Sequence, residues 1–413
     1  MQKIKIVDAR MGRGKSSAAI QYMKDHRADK HFLYITPLLS EVERICTACG
    51  FSAPEDVELS KSADLKRRLR TGESIAATHA LFYLMDEEAL SLIRERHYTL
   101  IVDEEIEVIS KVQITNKDLQ FVKSMIEVDD VGHATWTRPE YRGKLDGYKE
   151  IAESGFMFIL DGAMLEVVDP GLFDAFDDVY MLTYLFSESV MEAYMKYAGF
   201  EWQIIGVERV GNKYKFTDHP DAPPPLDISK LIHIVDEQKM NATGDSRTAM
   251  SHTWYTTRSY DNPDVTMLRK NLDNFFRHKS SGKSGSRMWT TFHDSAEKLV
   301  PANGRYRKNF VQVRARATNA YVERTDLAYM ANRFADPNIK KFFAAYDIHF
   351  NNDVFALSEM LQWIWRSAIR NDKPINLYIP SSRMRTILLD WIDQVSKGGD
   401  ACGRTQVQEM SAS

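Results

Sequence analysis

The sequence predicts an α/β chain of two successive domains, each a parallel sheet flanked by helices. Three observations carry that expectation. Residues 3–8 read as a strand that passes through a glycine-containing loop into a helix opened by Lys15-Ser16. Residues 98–102, Tyr-Thr-Leu-Ile-Val, form a continuous apolar strand that ends at Asp103-Glu104-Glu105. Such a run suits a strand buried on both faces, and acids at its C-terminal end lie where open α/β sheets place their ligands. Residues 217–226, Thr-Asp-His-Pro-Asp-Ala-Pro-Pro-Pro-Leu, then interrupt the pattern, and apolar strands restart beyond them. Proline stiffens such a stretch and denies it a central place in a sheet. The expected division is a first domain over 1–218, a linker over 219–226, a second domain over 227–395 and a disordered tail over 396–413.

Composition narrows the classes. At 413 residues the chain is long enough for two or three domains. A hydrophobic share of 44% with 27% charged residues is that of an ordinary globular protein. The formal net charge of -4 excludes a uniformly basic nucleic-acid binder while leaving room for a local basic groove. No apolar run reaches the length of a membrane span, and Met1 leads directly into the first strand. The expectation is therefore a cytoplasmic protein without signal peptide or membrane partner. Three cysteines make no disulfide framework, and Cys46-Thr47-Ala48-Cys49 has no second pair with which to hold a metal, so free thiols are expected.

Taken in order, the elements acquire chemistry. In Ala9-Arg10-Met11-Gly12-Arg13-Gly14-Lys15-Ser16-Ser17 the glycines let backbone N–H groups turn toward a phosphate. The helix N-terminus behind them adds partial positive charge. In this P-loop arrangement Lys15 is expected to reach the β- and γ-phosphates and the Ser16 hydroxyl to ligate Mg²⁺. Residues 31–35 form a second strand closed by Thr36-Pro37, and 41–46 continue as a helix. The basic run at 61–70, with leucines four apart, reads as a solvated amphipathic helix, with nucleic-acid contact as the alternative. Residues 74–77 are a strand ending at Thr78-His79. At the end of the 98–102 strand, Asp103 is expected to bind Mg²⁺ and Glu104 to orient or deprotonate an attacking water. Residues 115–148 read as a polar insertion with helices. Strands follow at 156–161 and 179–183, then a helix stopped by Gly199.

The second half restarts with a strand at 231–236. Gly282-Lys283-Ser284 has no strand before it and no helix directly after, so it reads as a loop. A strand at 287–292 precedes a cluster of Arg305, Arg307, Lys308, Arg314 and Arg316 interleaved with Tyr306 and Phe310. That cluster suits either backbone tracking with base stacking or a solvated strand edge. Residues 361–370 are expected to form a helix presenting Arg366 and Arg370 on one face, and 375–380 a final strand.

Several of these segments resemble motifs of superfamily-two helicases. Ala-x-x-Gly-x-Gly-Lys-Ser at 9–16 is similar to motif I, with Ala9 where a glycine is usual. Thr36-Pro37 resembles motif Ia, and Thr78-His79-Ala80-Leu81 resembles a segment whose threonine lies by nucleic-acid phosphates. Asp103-Glu104-Glu105 resembles the acidic motif II, Thr183 stands in a motif III-like position, and Gln362-x-x-x-Arg366 with Arg370 resembles motif VI. Residues 319–343 and 364–370 look most like the small helicases of tailed bacteriophages. The resemblance implies two tandem RecA-like P-loop domains with ATP and Mg²⁺ in the cleft between them. It also implies an ATP hydrolase stimulated by nucleic acid, with DNA placed before RNA and the choice left open, acting in the host cytoplasm beside replication or recombination proteins. Lys15, Glu104, Gln362, Arg366 and Arg370 would be its catalytic residues, and Thr36, Thr78 and the cluster from Arg305 to Arg316 its nucleic-acid contacts. The alternative from another class is a nucleotide-dependent switch or assembly factor without translocation. On either reading, a fragment ending near residue 218 holds the apolar strands for one core and is expected to fold.

Overall fold

The computed structural model describes residues 3–56, 60–218, 228–280, 283–313 and 319–397. It divides into two compact units. The first takes Met1–Pro220 together with Ala335–Asn351, and the second takes Asp221–Phe334 and the chain from Asn352 onward.

Four parallel strands are laid down first: β1 (Lys3–Asp8), β2 (His31–Thr36), β3 (Ile75–Thr78) and β4 (Tyr98–Asp103). The chain then leaves the sheet. β5 (Ile109–Lys111), β6 (Ile126–Val128), β7 (Ala134–Trp136), β8 (Met157–Leu160) and β9 (Ala163–Val167) make a three-stranded antiparallel sheet in the order β5-β9-β8 and a separate β6-β7 hairpin. They enclose a small core of their own around Leu119, Trp136, Met157 and Met164. The strand expected at 156–161 thus exists but belongs to this excursion. The chain returns through β10 (Asp178–Thr183), β11 (Glu201–Val210) and β12 (Lys213–Thr217). The main sheet runs β12-β11-β1-β10-β4-β2-β3, parallel throughout except for the antiparallel β11–β12 pair. Strands β2 and β4 are buried in nearly every position, as a strand covered on both faces must be.

The helix Pro337–Ala345 supplies a piece of the first unit from far along the chain. Its Phe342 and Phe343 are fully buried, with Phe342 edge-on to Phe158 and Tyr197. The division at residue 218 therefore leaves out part of this core. A linear reading cannot find such a return, because a short amphipathic helix carries no mark of which core it joins.

The second unit is a parallel sheet of β13 (Ile232–Ile234), β14 (Arg287–Thr290), β15 (Asp326–Tyr329) and β16 (Ile375–Tyr378), ordered β13-β16-β15-β14. Its core gathers Tyr255, Leu268, Phe275, Trp289 and Tyr378. The expected helix over 361–370 is not continuous. The helix Asn352–Ile364 ends when the Ser367 hydroxyl takes the Ile364 carbonyl at 2.6 Å, and a 3₁₀ turn, Ala368–Asn371, follows. The helix Ser382–Ser396 includes the first residue of the expected tail. Residues 398–413 and the expected linker, 219–226, lie outside the described residues. Among the described residues no helix is long and apolar enough to cross a membrane.

Candidate functional site

The site grows from the register of three adjacent strands. Asp8 on β1 pairs with Thr183 on β10, and Leu182 pairs with Asp103 on β4. Asp8, Thr183 and Asp103 therefore end side by side at the C-terminal edge of the sheet. The Ala9 N–H donates to the Thr183 carbonyl at 3.1 Å and the Glu104 N–H to the Leu182 carbonyl at 3.2 Å, which ties the loops together.

Between β1 and the helix Lys15–Asp25 the loop turns on Gly12 (φ 80°) and Gly14 (φ 89°), both left-handed. Side chains other than glycine rarely adopt that backbone. At Gly14 a second constraint applies, since an added Cβ would lie 2.3 Å from the Tyr214 ring. No side chain caps the helix. Its first N–H groups, at Lys15, Ser16 and Ser17, have no partner within the helix, an arrangement with the geometry to hold an anion.

Two side chains link this loop to the acidic strand end. The Ser16 hydroxyl donates to the Asp103 carboxylate at 3.2 Å. Asp103 also accepts from the Tyr34 hydroxyl at 2.6 Å. Burial pushes the Asp103 pKa up while the Tyr34 hydrogen bond holds it down. The Lys15 ammonium folds back onto the carbonyls of Ala9 and, at 3.3 Å, Arg10. Burial lowers its pKa to about 8, against the opposing pull of Asp8, Asp103 and Glu104. Arg10 is buried beside it, whereas Arg13 and Ser17 are exposed and Met11 half-buried.

Glu104 is exposed and left-handed at φ 65°. Such backbone is uncommon for a residue other than glycine and marks a constrained position. Glu105 turns the other way and accepts from the Thr183 hydroxyl at 2.8 Å. Burial, reinforced by Asp8, raises its pKa to about 7. Asp8 holds the next turn by accepting from the N–H groups of Leu185 and Phe186 at 3.0 and 3.1 Å. His79 reaches the Asp103 carbonyl at 3.1 Å, and burial lowers its pKa to about 4, so it stays neutral. The sequence reading passed over Tyr34, Glu105 and Tyr214. Glu105 was legible as the third member of an acidic run. The strand alternation before and after Gly211-Asn212 was the signal for the hairpin that carries Tyr214.

The residues present fit a Mg²⁺–nucleotide. A hydroxyl and a buried carboxylate stand 3.2 Å apart beside a glycine-turned loop and a desolvated lysine that donates to the backbone carbonyls of Ala9 and Arg10. Among the described residues no cluster of three His, Cys, Asp or Glu could hold a metal alone, so phosphate oxygens would complete the set. Cys46 and Cys49 are free thiols.

Other expected site residues sit differently. Thr36 is 1% exposed and has no surface to offer a nucleic-acid backbone, while Thr78 is half-buried at the start of the helix His79–Phe82. The basic helix Lys61–Thr71 spends its charge internally: Lys66 pairs with Asp86 and Glu88, and Arg67 and Arg68 pair with Asp64. Arg305 pairs with Asp273 at 3.1 Å and Arg307 with Glu297 at 2.7 Å. Tyr306 is buried and half-buried Phe310 packs on Trp289, and the segment between them is a 3₁₀ turn, Arg307–Asn309, rather than a strand. Lys308 is exposed, and Arg314 and Arg316 lie outside the described residues. In the second unit Arg366 is buried and donates to the Val313 carbonyl at 2.8 Å, whereas Gln362 and Arg370 are exposed.

One relative resolves the family. The SPbeta prophage-derived uncharacterized protein YonV of Bacillus subtilis (strain 168) is 35% identical over 413 residues, covering 95% of this chain and 99% of the relative. The chain belongs to the YonV family. Residues 226–392 match the YonV C-terminal Rossmann-like domain, which contains the whole second-unit sheet. Among solved structures, apo XPD aligns over 95% of both chains at 11% identity with a TM-score of 0.46. The DUF1998 helicase MrfA bound to DNA and AMPPNP aligns over 95% of this chain and 48% of its own at 10% identity, with a TM-score of 0.34. These likenesses concern the course of the backbone and assign no residue of this YonV-family chain a role.

Proposed function

We propose that this YonV-family chain binds ATP with Mg²⁺ at residues 9–17 and hydrolyses it. The observation that carries the reading is the 3.2 Å contact of Ser16 with Asp103, which joins a glycine-turned phosphate loop to the acidic end of a buried strand. Lys15 exchanges its loop carbonyls for phosphate oxygens, and their negative charge raises its proton affinity back toward the ordinary lysine value. Ser16 and Asp103 hold the metal, which when bound neutralises charge developing on the β- and γ-phosphates. Glu104, exposed beside them, orients the attacking water. Gln362, Arg366 and Arg370 are proposed to assist on the strength of the motif VI resemblance.

The work done by hydrolysis is proposed to be on nucleic acid, DNA before RNA, as a helicase or translocase in replication or recombination. The prophage origin of the YonV relative supports that setting. A switch or assembly factor without translocation is the second reading. It is favoured by the ion pairs that occupy Arg67, Arg68, Arg305 and Arg307. Hydrolysis measured with single-stranded DNA, duplex DNA and RNA side by side tests both. Stimulation by one of them, with strand separation or directional movement, is expected of the first reading. Turnover indifferent to all three leaves the switch, and no turnover in any condition removes the hydrolase.

A further inference from the structure

Tyr34 lies in an apolar core, yet it carries a hydroxyl. On β2 it pairs with Ile101 of β4, and Asp103 stands two residues further along that strand. Side chains alternate along a strand, so Ile101 and Asp103 lie on one face of the sheet and share it with their neighbour Tyr34. That face is covered by the helices Lys15–Asp25 and Leu39–Cys49, whose Ala19, Met23, Val42 and Ile45 join Tyr34 and Ile101 in one buried cluster. Tyr34 is fully buried there. A phenylalanine would fill the same space without the cost of desolvating a hydroxyl, so the bond that the hydroxyl makes is what the tyrosine adds. Its acceptor is Oδ2 of Asp103, at 2.6 Å.

That bond makes the two oxygens of the carboxylate unequal. Oδ2 is held from the core side by Tyr34, whereas Oδ1 is the oxygen nearer the Ser16 hydroxyl, at 3.2 Å against 3.4 Å for Oδ2. The main chain of the same residue is held as well. Its carbonyl can only accept, and it takes a hydrogen bond from His79 Nε2 at 3.1 Å. With the backbone and one oxygen fixed, turning the carboxylate would break the Tyr34 bond. Oδ1 is therefore the oxygen left to face the phosphate loop. Carboxylates that ligate metals are commonly held by an outer hydrogen bond of this kind, which fixes the ligand before the ion arrives.

We propose that Tyr34 is a positioning residue for the divalent cation, its hydroxyl holding Oδ2 of Asp103 so that Oδ1 is presented to the ion beside Ser16. The inference rests on the reading of Ser16 and Asp103 as metal ligands of a bound nucleotide. The test is calorimetric binding of the non-hydrolysable analogue AMPPNP to the full chain, with Mg²⁺ and with EDTA in its place. The ratio of the two affinities reads what the cation contributes, apart from the loop's own hold on phosphate. The wild type is expected to bind more tightly with Mg²⁺. Tyr34→Phe keeps the ring and removes the hydroxyl. It is expected to lose about tenfold in affinity with Mg²⁺, with the affinity in EDTA unchanged. In an Asp103→Asn background the same substitution is expected to change neither value further, because Tyr34 acts through that carboxylate. An unchanged ratio in Tyr34→Phe, an equal loss with Mg²⁺ and with EDTA, or a full additional loss on top of Asp103→Asn overturns the positioning role while the metal reading stands. A wild type that binds equally well with and without Mg²⁺ overturns the metal reading and the role of Tyr34 with it. One that binds in neither condition overturns the loop reading as well.

Discussion

The loop at 9–17 and the segment at 362–370 both carry residues assigned in advance to one chemistry, and they behave in opposite ways. In the first, Ser16 and Asp103 are 87 positions apart and meet at 3.2 Å. In the second, Arg366 and Arg370 are four positions apart and separate, one buried on a backbone carbonyl and the other exposed. The difference is in what fixes each side chain. A strand end in a parallel sheet is located by the ladder itself, so residues following β1 and β4 are delivered to one edge whatever lies between them. Arginines on a helix share a face only while the helix lasts, and here it stops at Ile364. Trp363 and Arg366 instead pin residues 311–313, through the Val311 carbonyl at 3.1 Å and the Val313 carbonyl at 2.8 Å.

The contrast can be broken most directly at the loop. Lys15→Ala and Asp103→Asn are each expected to reduce ATP turnover by about 10²-fold or more, since each removes a preorganised charge from the site of charge development. Glu104→Gln is expected to bind ATP and turn it over slowly. Wild-type turnover in Lys15→Ala, measured by phosphate release, removes the loop from the chemistry.

The next effect concerns stability. A fragment ending at residue 218 lacks Phe342 and Phe343, so it exposes the Phe158 and Tyr197 faces they cover. Contrary to the simple two-domain expectation, it is expected to unfold readily. Phe342→Ala in the full chain is expected to cost about 3–5 kcal/mol in the first unit. Denaturant titration of fragment and variant reads both, and a stable, cooperative fragment refutes the return of 335–351 to this core.

Arg366→Ala is expected to cost about 1–3 kcal/mol, because the Val313 carbonyl loses its buried donor. Arg370→Ala is expected to leave thermal stability unchanged and to lower turnover if the motif VI resemblance extends to it. A loss of turnover in Arg366→Ala with its melting temperature intact would support the proposed catalytic part of Arg366 over a purely structural one.

A smaller effect is expected in pH dependence. With its pKa raised from 4.5 to about 7, Glu105 keeps its proton in the folded state after the unfolded chain has lost it. Its contribution to stability therefore falls as pH rises from about 4.5 to 7, and the loss is complete above 7. Glu105→Gln is expected to flatten the stability profile in that window, and an unaltered slope would place the titration elsewhere. Smallest of all, Arg307→Ala is expected to leave the salt dependence of any nucleic-acid binding unchanged, because its charge is already paired with Glu297.

The sequence by itself determined the parallel α/β class, the glycine-turned loop and the pairing of Ser16 with Asp103. Each is written in contiguous residues whose spacing or apolar run has few structural meanings. Gly12 and Gly14, for example, mark left-handed turns wherever a strand runs into a helix this way. Tertiary structure alone decided that 335–351 completes the first core, that Glu105 rather than Glu104 is buried on Thr183, and that Tyr214 lies on Gly14. It also decided that the arginines of 61–71 and 305–307 are paired with acids. Those outcomes depend on which distant surface each side chain meets, and meetings across long sequence separations leave no local pattern in the chain.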